Sequence, residues 1–103
     1  MLNETTKNAI IVAIKSVTPV ESIILFGSVT RKEEPDDSDI DICVLTNKNR
    51  SALDIVTDIR LALYKKIKRP LDVLVYPVDE FNTYKVSRSF ESTIAKEGIV
   101  ING

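Results

Sequence analysis

The sequence predicts an α+β fold in which a small sheet packs against helices. Three observations predict it. Three apolar runs, at 22–27, 39–46 and 71–77, have the length of strands rather than helices. Two longer segments, at 3–17 and 51–68, space their apolar residues three and four apart. Strands and helices with complementary apolar surfaces bury them by stacking in layers.

The first helix is predicted over 3–17. Ile10, Ala13, Ile14 and Val17 fall on one face, Thr5 or Thr6 caps it, and Pro19 ends it. Residues 22–27 form a continuous apolar run closed by Gly27, which suits a strand buried on both faces. Residues 28–38 are polar and contain Pro35, so they read as a loop or a short helical turn followed by a loop. The stretch DIDICVLT, 39–46, is the second strand. Asn47 to Ser51 is a turn leading to a helix cap.

The longest helix is predicted over 51–68. Ala52, Ile55, Val56, Ile59, Leu63 and Ile67 make its stripe, Lys65, Lys66, Lys68 and Arg69 complement its C-terminal dipole, and Pro70 stops it. LDVLVYP, 71–77, is the third strand. Residues 79–97 read as one or two short helices with Asp79 as a cap, and 99–101 as a short terminal strand. The 51–68 helix permits a crossover between parallel strands, but the pattern alone does not fix parallel pairing.

Composition narrows the functions. At 103 residues the chain is one domain, 1–103, with enough length for a core without disulfides or metals. Net charge is −1, which is not the basic surplus of a broad nucleic-acid binder, and nucleic acid is not the expected partner. The chain has no histidine, which removes His-ligated zinc and any histidine base. Cys43 is the only cysteine, so no internal disulfide forms. No apolar run approaches the ~18 residues of a membrane span, and MLNETTKNAI does not read as a signal peptide. The expected location is the cytoplasm.

The chemistry concentrates in GSVTRKEEPDDSDID, residues 27–41. Side chains alternate along a strand, so Asp39 and Asp41 point the same way, with Cα atoms roughly 6.5–7 Å apart. Two such carboxylates repel and raise each other's pKa unless a cation joins them. Oxygen-only ligands suit Mg²⁺ or Mn²⁺, completed by substrate phosphates. Asp72, second in the third strand, supplies a third carboxylate if the strands are neighbours. Three carboxylates at strand ends would cradle two metals for in-line phosphoryl displacement. Gly27 allows close backbone approach, and Ser28 offers a hydroxyl and an N–H to an anion.

Other residues take plainer roles. Cys43 shares the aspartates' face and is expected in the core. The basic cluster Lys65, Lys66, Lys68 and Arg69 reads as a solvated helix end. Phe81, Tyr84 and Phe90 are expected to cover the core, and Tyr76 to share a face with Asp72.

The order strand, Gly27-Ser28, loop, Asp39-Ile40-Asp41 resembles the G-S … D-x-D motif of the DNA polymerase beta-type nucleotidyltransferases. PDDSDID is similar to the minimal nucleotidyltransferase (MNT) branch. DVLVY resembles that branch's third strand, and Phe90 to Ile101 the end of its domain. One departure is Lys32, where many relatives have glycine after the arginine.

The resemblance implies a two-layer sandwich, a small mixed sheet with helices on one face. It implies transfer of a nucleoside monophosphate from a triphosphate, with ATP as donor, to a hydroxyl. Asp39, Asp41 and Asp72 then correspond to catalytic metal ligands, and Asp72 also helps deprotonate the acceptor. Gly27 and Ser28 correspond to the triphosphate-binding pair, and Arg31 to a phosphate contact. Small MNT proteins resemble antitoxins that add AMP to a tyrosine of a helical HEPN toxin, which makes such a toxin the expected partner. Two alternatives stand beside this: a non-catalytic module that neutralises or scaffolds a helical partner, and a small-molecule or RNA-end nucleotidyltransferase. Oligomeric state is left open.

Overall fold

The computed structural model describes residues 2–30, 38–47, 50–87 and 89–102. The chain runs α1 (Glu4–Val17), β1 (Ser22–Phe26), a 3-10 turn (Gly27–Thr30), β2 (Ile40–Thr46), α2 (Ala52–Leu63), β3 (Leu71–Pro77), α3 (Val78–Tyr84), α4 (Phe90–Glu97) and β4 (Ile99–Asn102). The four strands form one mixed sheet in the order β3-β2-β1-β4. β1 is antiparallel to both β2 and β4, and β2 is parallel to β3. The class is the expected α+β fold with a small mixed sheet.

Alternation in β2 decides the layers. Ile40, Ile42 and Val44 pack with Ile23 and Leu25 of β1 against Ile10 and Ile14 of α1 and Ile55, Ile59 and Leu63 of α2. All of these are fully buried. Each large aliphatic side chain so buried contributes about 1.5–3 kcal/mol of transfer free energy. The intervening Cys43 and Leu45 join Ile24, Phe81 of α3 and Ile94 of α4 in a smaller cluster. The two long helices thus lie on one face, as expected. The short C-terminal helices add Phe81 and Ile94 to the cluster on the other face, so helices on one face alone do not describe the whole layer order.

Local chemistry corrects several boundaries. Asn3, not Thr5 or Thr6, caps α1: its Oδ1 accepts from the Thr6 N–H at 2.8 Å. Ser51 caps α2 as expected. The helix ends at Leu63 rather than 68, because bonding tightens there. The Tyr64 and Lys66 N–H groups donate three residues back, to the Leu61 and Leu63 carbonyls at 3.4 and 3.0 Å, while the Ile67 N–H also reaches the Leu63 carbonyl at 3.0 Å and Ile67 stays buried. The predicted cap Asp79 sits in the first turn of α3, whose cap position is Pro77. Asp39 precedes β2 instead of opening it. Among the described residues no helix is long and apolar enough to cross a membrane.

Candidate active site

The parallel pairing of β2 and β3 sets Asp41 directly beside Asp72. Neighbouring strands lie about 4.8 Å apart, so two carboxylates share one end of the sheet. On its other side Asp41 pairs with Phe26, the last residue of β1. Asp39, exposed, lies one residue before β2. Asp41 is half-buried. Burial first, then the charges of Asp72 and Asp39, push its carboxyl above the usual range. No ion pair joins the three aspartates to a cation among the described residues.

Gly27 is fitted to this arrangement. Its φ is +73°, a conformation that glycine adopts without a Cβ penalty. A Cβ there would also fall on the Asp41 Oδ2 atom. The backbone therefore lies directly against the carboxylate. Thr30 Oγ1 donates to the Gly27 carbonyl at 2.7 Å and closes the turn. Val29, fully buried, anchors that turn in the main core and leaves Ser28 half-buried beside Gly27.

The donor set suits a hard divalent cation. Asp41 and Asp72 are adjacent, supply only oxygen, and pair with no cation among the described residues, which matches the one or two carboxylates that Mg²⁺ takes beside phosphate oxygens. The expected three-carboxylate cradle is less complete. Among the described residues no group of three or more Asp, Glu or Cys side chains is gathered closely enough to hold an ion. The strand pairing fixes Asp41 and Asp72 but does not reach Asp39, and three like charges repel. Arg31, the expected phosphate contact, lies outside the described residues, as does Lys32.

A cleft of about 340 Å³ opens beside Asp41. Phe26, Gly27, Thr30 and Asp41 line one side, and Phe90, Thr93, Ile94 and Glu97 of α4 the other. The sequence reading missed the contribution of α4. Its signal was Phe90, expected with Phe81 and Tyr84 as core cover. Only Phe81 is buried; Tyr84 and Phe90 are exposed, and Phe90 meets Phe26 edge to face with ring centroids 5.6 Å apart. Tyr76 shares the face of Asp72 but is engaged elsewhere, its hydroxyl donating to Glu91 Oε2 at 2.8 Å. Cys43 is fully buried, as expected. Arg69 does more than complement a dipole: Nε and Nη2 donate to the Ser38 carbonyl and hydroxyl, each at 3.0 Å, joining the approach of β2 to that of β3.

Comparison with protein families places this geometry. The family described as polymerase beta, nucleotidyltransferase matches residues 8–102. The chain belongs to this family, whose chemistry is nucleotidyl transfer. Its domains generally use a nucleoside triphosphate and a divalent metal. A search of the curated proteins gave no match.

Proposed function

We propose that this chain transfers AMP from ATP to a tyrosine hydroxyl of a helical HEPN-type toxin, and so acts as a cytoplasmic antitoxin. The observation that carries the reading is the Asp41–Asp72 register with Gly27 against Asp41. There Asp41 and Asp72 would hold Mg²⁺ or Mn²⁺, and Asp39, which lies just before β2, would have to swing in to join them. When bound, the metal supplies charge neutralisation of the phosphates and acidifies the acceptor hydroxyl.

The residues have distinct work. The Gly27–Ser28 backbone and the Ser28 hydroxyl hold the polyphosphate, with Arg31 as a further contact. Asp72 accepts the proton of the acceptor hydroxyl. The acceptor oxygen bonds to the α-phosphorus, the bond from that phosphorus to the bridging oxygen breaks, and pyrophosphate leaves. Asp41 lies between the two halves of this reaction, next to Gly27 on one side and Asp72 on the other.

The test is incubation with ATP, Mg²⁺ and a purified HEPN partner, followed by mass spectrometry of the partner. An added AMP on a tyrosine, absent with Asp39→Asn/Asp41→Asn, supports the reading. Toxin neutralisation that persists in the double variant without added mass overturns it in favour of contact alone.

A further inference from the structure

We propose that the outward face of α2 pairs antiparallel with the same face of a second copy of this chain, about a two-fold axis at Thr57. α2 turns Ile55, Ile59 and Leu63 into the core. Its other side carries Leu53 and Leu61, 73% and 70% exposed, and Tyr64, 75% exposed, continues the line from the C-cap, where the backbone is still helical. Leu53, Thr57, Leu61 and Tyr64 succeed one another at steps of four, four and three, so they form one stripe. Single exposed apolar residues are ordinary; three large ones aligned on one helix mark a contact surface.

The stripe is self-complementary, and this identifies its occupant. A two-fold contact pairs residues equally far from the axis on opposite sides. With the axis at Thr57, Leu53 meets Leu61 of the second copy, four residues away on each side. Asp54 meets Arg60 of the second copy, three residues away on each side. Apolar thus faces apolar and each charge faces its opposite, twice over. A parallel pairing would instead set Asp54 on Asp54 and Arg60 on Arg60. Thr57 at the axis is small enough for the backbones to approach.

A stripe of about eleven helical steps is roughly 16 Å long. It buries less than the ~1,200 Å² of a standard stable interface, so the dimer is weak, with dissociation in the micromolar range or above. α2 covers the sheet face opposite to that of Cys43 and Leu45, which Asp41 shares by alternation. Pairing through α2 leaves both Asp41–Asp72 sites on the outside of the dimer, so two acceptors can be engaged at once.

Sedimentation equilibrium over micromolar to millimolar concentrations tests it. The expected result is a mass that rises towards twice the 11.5 kDa of the chain. Leu61→Glu, at an exposed position, should remain monomeric throughout with an unchanged circular dichroism melt. Asp54→Arg alone and Arg60→Asp alone should each weaken association by roughly tenfold, since each loses and reverses two charge pairs. The combined variant should restore it. A wild type that stays monomeric, a dimer indifferent to Leu61→Glu, or a combined variant no better than the single ones would overturn the proposal.

Discussion

Asp41 and Asp72 are register partners on adjacent parallel strands, and Gly27 closes the other flank of Asp41. A half-buried acid beside another acid, with backbone against it, is unfavourable for the folded chain by itself.

Asp41→Asn should separate stability from activity. Because the folded-state pKa of Asp41 is raised, the native chain holds a proton that the unfolded chain releases. Stability therefore falls as pH rises from the ordinary value of 3.8 through the raised one, and the penalty is full at neutral pH. The amide removes it. Thermal melts at pH 7 without metal should place Asp41→Asn above wild type, and the gap should close below pH 3.8. Nucleotidyl transfer should fall by more than about 100-fold, since even residues behind a metal ligand commonly cost 10–100-fold. A variant less stable than wild type at pH 7 would contradict the charge argument.

Gly27→Ala meets two obstacles at once, the positive φ and the Asp41 carboxylate. The expected loss is about 1–3 kcal/mol, and each kcal/mol lowers Tm by roughly 4–8 °C in a chain of this size. Urea unfolding measures the first effect. Calorimetric titration with ATP and Mg²⁺ measures the second, a weakened site, because Asp41 must move to admit the methyl group. Unchanged values in both would mean that the backbone shifts freely at this turn.

Tyr76→Phe removes the hydroxyl that donates to Glu91. A cost of about 1 kcal/mol is expected for one partly exposed hydrogen bond to a carboxylate. The pH dependence is the sharper test. Burial, then the Glu91 bond and charge, push the phenol from 10.0 up to about 12. The raised value means that the native state keeps the proton longer than the unfolded state does. The stabilisation is complete below pH 10.0 and is lost as pH rises through about 12. Phenylalanine should lack that decline; an identical alkaline profile in the two proteins would remove the role given to the bond.

Cys43 should be inert while the chain is folded. Burial and then the Glu91 charge push its thiol from 9.0 up to about 12, and no part of the residue is exposed. At pH 8 a disulfide reagent should label native protein more than roughly a hundredfold more slowly than protein in denaturant. Rapid native labelling would show that the cluster of Ile24, Leu45 and Phe81 opens readily.

The chain states its elements locally. The alternation in DIDICVLT assigned Ile40, Ile42 and Val44 to one face and Cys43 to the other, and both clusters follow it. The 3.6-residue spacing similarly identified Ile10, Ile14, Ile55, Ile59 and Leu63 as core. The ends were harder to read. The step that stops α2 at Leu63 is a choice between hydrogen bonds of similar energy, and KKIKR favours neither strongly.

What the sequence determined by itself was therefore the set of elements, the family motif and the identity of the candidate acids, because periodicity and local motifs lie within short stretches of chain. Only the tertiary structure decided that β2 and β3 are parallel and that Asp41 stands opposite Asp72. It alone placed α4 across the cleft from Phe26, and turned Leu53, Leu61 and Tyr64 outward together. Those facts depend on contacts between residues far apart in the chain. Strand register is fixed by the combined burial of both faces, and no single stretch of residues contains that information.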